Sequence, residues 1–120
     1  IARKNIEFRG FVDDIELSRL MAQARGFIFP GEEDFGIAPV EAMGHGCPVI
    51  ALGKGGLQET VIENETGVFF DGSVSDLINV VRKYDQNFEN FDPQVCHKQA
   101  CNFDSKIFAN KFKQIIDKYV

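Results

Sequence analysis

Along the chain, short apolar runs alternate with longer segments in which apolar residues recur every three or four positions. IEFRGF (6–11) alternates apolar and polar side chains between Asn5 and the Asp13-Asp14 pair, which predicts a strand. In DDIELSRLMAQA (13–24), Ile15, Leu17, Leu20, Met21 and Ala24 fall near helical spacing, and Asp13 stands where an N-cap is expected. GFIF (26–29), PVIAL (48–52) and TGVFF (66–70) are compact apolar runs of the kind that form buried strands. Between the first two, a helix is expected over 37–45, with Pro39 in the first turn, where a backbone N–H lacks a partner anyway, and His45-Gly46 as the stop. LQETVI (57–62) predicts a short helix after the GKGG turn (53–56), with Glu59 near its start. From Ser73 onward the pattern is helical: SVSDLINVVRKYDQ, a segment after Pro93, and DSKIFANKFKQIIDKYV, whose Ile107, Phe108, Phe112, Ile115, Ile116 and Tyr119 share one face. That face is expected to pack on the chain's own sheet or on another domain.

Strands alternating with helices of this length predict an α/β fold: a Rossmann-like parallel sheet flanked by helices, with a helical C-terminal tail. At 120 residues the chain reads as one domain or part of one, with residues 1–72 as its α/β part and 73–120 as the helical tail. On parallel sheets of this type, ligands sit beyond the carboxyl ends of the strands. Pro30-Gly31-Glu32-Glu33 and Gly53-Lys54-Gly55-Gly56 are both expected to be carboxyl-end loops.

Charge narrows the function. A net charge of -5, with Lys and Arg scattered, lacks the basic footprint of a nucleic-acid binder. No apolar run approaches the length of a membrane span, and Ile1-Ala2-Arg3-Lys4-Asn5 lacks the apolar segment of a secretion signal, so a cytoplasmic location is expected and membrane association is not. Cys47, Cys96 and Cys101 show no framework spacing, and with His45 and His97 they complete no zinc pattern; free thiols, no disulfide and no structural metal are expected. Cys96 and His97 read as surface or helix-packing residues, and His45 as a favourably placed group at a helix C-terminus.

The candidate chemistry lies in GEEDFGIAPVEAMGHG (31–46), which sets Glu32, Glu33 and Asp34 before a glycine-containing turn and a helix start, with Glu41 eight residues beyond Glu33. A helix start offers free N–H groups and partial positive charge, so the acids could simply cap it, but the same geometry binds phosphate. The backbone amides of Phe35, Gly36 and Ile37 would face such a phosphate, and glycine at 36 permits its close approach. Carboxylates accept strong hydrogen bonds from sugar and ribose hydroxyls but repel phosphate, which divides the work between Glu33 and Glu41 on one side and amides on the other. Lys54, in the neighbouring glycine-rich turn, is the candidate cation to offset the acids, or else an ordinary surface lysine. Asp34-Phe35-Gly36 also spells the magnesium-binding tripeptide of protein kinases, but no His-Arg-Asp loop precedes it. GKGG lacks the spacing of a phosphate-binding P-loop.

These residues resemble a family, the retaining nucleotide-sugar glycosyltransferases of the B-type fold, family 4, in their C-terminal donor-binding domain. The resemblance runs through IEFRGFV, DDIELSRLMAQA, PGEEDFGIAPVEAMGHGCPVIALGKGGLQETV and TGVFF, roughly residues 6–70. It implies that Glu33 is the catalytic-site carboxylate contacting donor-sugar hydroxyls. Asp34, Phe35, Gly36, Ile37 and Lys54 would line the sugar and diphosphate, and Glu41 would bind the ribose. The wording looks most like the mannosyltransferase branch that uses GDP-mannose. No cofactor is implied: a GDP- or UDP-linked sugar enters as substrate, and the lack of an Asp-x-Asp motif agrees with a metal-independent transfer.

The family also has an N-terminal acceptor domain and, early in the donor domain, an Arg and a Lys that neutralise the departing diphosphate. Neither has a counterpart in this chain, so the chain alone is expected to be inactive. An acceptor domain or partner chain, or a homodimer, would complete it. In the family's six-stranded order the counterparts of IEFRGF and GFIF are not neighbours, so here they either pair directly or leave edges for another chain. The alternative is a non-catalytic nucleotide-sugar-binding subunit or remnant that completes its site with a partner.

Overall fold

The computed structural model describes residues 3–120; Ile1 and Ala2, part of the stretch read for a secretion signal, lie outside the described residues. Helix α1 (Asp14–Gln23) leads to strand β1 (Phe27–Phe29), then α2 (Ile37–Gly44), β2 (Val49–Leu52), α3 (Leu57–Thr60) and β3 (Gly67–Phe70). Helix α4 (Val74–Asn87), a 3₁₀ turn (Phe88–Asn90), α5 (Pro93–Cys101) and α6 (Ser105–Tyr119) complete the chain. The strands form one parallel sheet in the order β1-β2-β3, with Phe27 opposite Val49 and Ala51 opposite Phe69.

The central strand shows why the sheet holds. Successive side chains of a strand point to opposite faces, and Val49, Ile50 and Ala51 are all buried. Val49 and Ala51 join Met21, Ala42, Met43, Leu57 and Cys96 in one cluster. Ile50 joins Phe70 and Tyr84 in another, roofed by α4. A strand covered on both faces reads as a continuous apolar run, and PVIAL does.

Local signals set most helix ends. Asp13 Oδ1 accepts from Glu16 N–H at 2.8 Å, fulfilling the expected cap. Ser73 caps α4, its hydroxyl accepting from Asp76 N–H at 3.2 Å. Helix α3 stops at Thr60, short of the expected 62: Val61 turns to an extended conformation at φ -91° and ψ 130°. β-Branched Val61 and Ile62 fit that conformation better than a helix.

One expectation is corrected, and the two alternatives given for α6 are reduced to one. Residues 6–11 form no strand and do not pair with β1. Phe8 is 85% and Phe11 95% exposed, so the apolar alternation meets no surface to cover, and a strand without a partner is not stable in water. The apolar face of α6 does not pack on the sheet either: no α6 residue is buried, and Phe108, Phe112, Ile115, Ile116 and Tyr119 all remain exposed. Of the two places expected for Cys96, a surface or a helix packing, the second holds: it is fully buried where α5 packs on the main core.

Candidate functional site

The site grows from the carboxyl ends of β1 and β2. The chain leaves β1 through Pro30 and runs over Glu32, Glu33 and Asp34 to Gly36, the N-cap of α2, which takes a left-handed conformation at φ 83° and ψ 72°. A Cβ at Gly36 would stand 2.6 Å from Leu57 Cδ2, so both the conformation and the fit over α3 demand glycine. No side chain caps α2. The first N–H groups of a helix have no acceptor within it. Among the described residues, none of the loop and cap hydrogen bonds takes its donor from Phe35, Gly36 or Ile37.

The second carboxyl-end loop braces the first. Gly56 N–H donates to Glu33 O at 2.8 Å. A Cβ on Gly56 would collide with Asp34 O, and one on Gly55 would lie 2.7 Å from Glu33 O. Two main chains therefore touch directly, which side chains on either glycine would prevent. GKGG is thus a turn that supports the GEEDFG loop.

A groove of about 330 Å³ opens between Phe29, Glu33, Phe35, Gly36, Ile37 and Ala38. The structure thereby brings together Glu33, Phe35, Gly36 and Ile37. Glu41 lies on the following turns of α2, exposed, and Asp34 is exposed in the loop. Lys54 is also exposed, and among the described residues it forms no ion pair with Glu32, Glu33 or Asp34. Its charge also reaches Asp71, directly after β3. The Asp71 carboxyl is held below its ordinary range first by the Ser73 hydroxyl and amide, then by Lys54. His45 turns back on its own helix, with Nδ1 2.8 Å from Glu41 O. Among the described residues no group of three or more His, Cys, Asp or Glu side chains is disposed to hold a metal ion.

Two residues of the site's frame escape a reading of the sequence. Leu57 supports Gly36 from below, and Phe103 meets Phe35 edge-on with ring centroids 5.7 Å apart. Nothing local marks either one, because each contact joins segments distant in sequence.

A parallel sheet with helices on both faces, whose carboxyl-end loops converge on an uncapped helix start, defines a Rossmann-like α/β unit. The family model described as "Glycosyl transferases group 1" matches residues 1–87, and the chain belongs to that family. It is 37% identical over 92 residues to alpha-1,3/1,6-mannosyltransferase ALG2 of Dictyostelium discoideum, a match covering 74% of this chain and 22% of that protein. To sulfoquinovosyl transferase SQD2 of Arabidopsis thaliana it is 34% identical over 113 residues, or 88% of this chain and 22% of that one. A solved sucrose-phosphate synthase from Thermosynechococcus elongatus shares the fold at a TM-score of 0.82 and 27% identity, over 94% of this chain and 30% of that chain. The chain thus spans between about a fifth and a third of the length of these proteins. Its fold is the Rossmann-like architecture of the B-type glycosyltransferases.

Proposed function

We propose that this chain is the donor-binding part of a retaining glycosyltransferase that moves a hexosyl group from a nucleotide sugar to an acceptor. The observation that carries the reading is the left-handed Gly36 opening α2 beside Glu33, with Glu41 farther along the same helix. Amides of Phe35, Gly36 and Ile37 receive the diphosphate, where the helix dipole favours negative charge. Glu33 accepts hydrogen bonds from the donor sugar, and Glu41 from the ribose. Holding the donor and stabilising charge on the departing diphosphate are the two contributions such a site makes to transfer. Lys54, exposed in the neighbouring GKGG turn, supplies the cation of this scheme. No metal enters this scheme.

The sugar is assigned as mannose carried by GDP, in keeping with the mannosyltransferase named among the relatives. Acceptor recognition falls to a further domain or a partner chain.

Calorimetric titration with GDP and UDP, without divalent metal, tests the reading on the wild type and on Glu41→Ala. Saturable binding of one nucleotide is expected, weakened at least about tenfold in the variant, since a hydrogen bond to a charged group contributes roughly 1.5–3 kcal/mol. A chain that is folded by circular dichroism yet binds neither nucleotide, or a variant that binds as well as the wild type, refutes it.

A further inference from the structure

Phe35 stands in the middle of the donor loop and is 44% exposed, so burial alone holds its ring loosely. The Phe103 ring meets it at 5.7 Å with the planes at 64°. In that arrangement the positive edge of one ring faces the negative face of the other. Phe103 is itself a fixed point. It lies in the turn between α5 and α6, where its N–H donates to Ala100 O at 3.0 Å and Asp104 caps α6 by accepting from Lys106 N–H at 2.7 Å. Below that turn, α5 is fastened to the core by buried Cys96. Gln99 donates to Thr60 O at 2.9 Å, and His97 Nδ1 lies 2.7 Å from Gly44 O. The donor loop is therefore braced from two sides, by the backbone of Gly56 on Glu33 and by the ring of Phe103 on Phe35.

We infer that Phe103 is a positioning residue for the donor site: its ring holds Phe35, and through Phe35 the backbone of residues 33–37, in the orientation that receives a diphosphate. The inference rests on the proposed reading of this loop as a nucleotide-sugar site. Phe103 lies outside the groove lined by Glu33, Phe35, Gly36 and Ile37. It removes alternative loop conformations, which the ligand would otherwise have to suppress on binding.

Phe103→Ala, Phe103→Leu and Phe103→Tyr are compared with the wild type in two measurements. The first is amide hydrogen exchange in the ligand-free chain. The second is calorimetric titration with GDP and GMP, and with UDP and UMP. Alanine and leucine are expected to speed exchange at Gly56 and Val40, whose N–H groups donate to Glu33 O and Gly36 O, while leaving α4 protected, and to weaken diphosphate binding by roughly three- to tenfold, the range of one edge-to-face aromatic pair. Monophosphate binding falls less, and tyrosine restores both readouts. Unchanged exchange at Gly56 and Val40 in both the alanine and leucine variants overturns the inference. So does an equal loss for mono- and diphosphates with protection lost throughout, which would mark Phe103 as a general packing residue. If the wild type binds no nucleotide, the functional reading fails, and exchange at Gly56 and Val40 still decides by itself whether Phe103 holds the loop.

Discussion

Glycines 36 and 56 show how single residues shape the site. Gly36→Ala combines a left-handed conformation with a close approach to Leu57, and Gly56→Ala drives a methyl group into the Asp34 carbonyl. Each is expected to destabilise the fold by about 2 kcal/mol or more in urea unfolding, because Gly36 is held in a left-handed conformation against a buried leucine, and the overlap at Gly56 is with main chain and cannot relax without parting the two loops. The carboxylates are separable by function. In a full-length enzyme that contains this domain, Glu33→Ala should chiefly slow use of the donor sugar, and Glu41→Ala should raise the KM for the nucleotide sugar. Unchanged kinetics in both would remove these role assignments.

The thiols make a further prediction at this scale. Burial pushes Cys47 and Cys96 up from 9.0 to about 11, with the neighbouring thiol adding to Cys47 and Asp92 adding to Cys96. Burial also raises the Tyr84 phenol. A group that holds its proton more tightly when folded adds stability below its unfolded value. It loses that stability as the pH climbs toward its folded value. The unfolding free energy is therefore expected to fall between about pH 9 and pH 11, by up to roughly 2–3 kcal/mol per thiol. Urea midpoints across that range should flatten in a Cys47→Ala, Cys96→Ala double variant. At neutral pH an alkylating reagent should reach Cys101, which is exposed, and spare the two buried thiols.

Among the elements, α4 is tied to the segment leading into β1 by an exposed Arg25–Asp85 contact and by a polar contact within an apolar layer. Tyr84 OH donates to Arg25 O at 2.6 Å, and its ring packs with Ile50 and Phe70. Tyr84→Phe keeps the ring and leaves the carbonyl without that donor, so a loss of about 1 kcal/mol is expected in chemical denaturation. Ser73→Ala should cost a similar amount by uncapping α4. Most elements were legible in the sequence. GFIF, PVIAL and TGVFF are strands, and the helices over 14–23, 37–44, 74–87, 93–101 and 105–119 follow their periodicity and turn residues. IEFRGF was misread because a two-residue alternation reports only that a segment could cover an apolar surface, and the partner strand has to be supplied elsewhere.

For the whole molecule, the extents of 58 × 31 × 27 Å describe a body lengthened in one direction. Helix α6 contributes no buried residue. Ending the chain after Asp104 should shift the thermal midpoint by less than about 2 °C, because no core packing is lost. A large drop in circular-dichroism melting would show that α6 supports the sheet after all. The candidate site was only partly legible at this scale. Glu33, Phe35, Gly36 and Ile37 are close in sequence and therefore close in space, so their grouping in one groove needed no tertiary information. Lys54 was placed in the correct neighbouring turn, but the electrostatic influence identified for it is on Asp71.

By itself the sequence determined the alternation of strands and helices, the position of the turns and the concentration of polar chemistry at 31–41, since periodicity, capping and glycine preference act between near neighbours. Only the tertiary structure decided that residues 6–11 pair with nothing described, that Gly56 lies against Asp34, and that Phe103 leans on Phe35. Those outcomes depend on which surfaces meet after the chain has folded back on itself, and no local pattern carries that information.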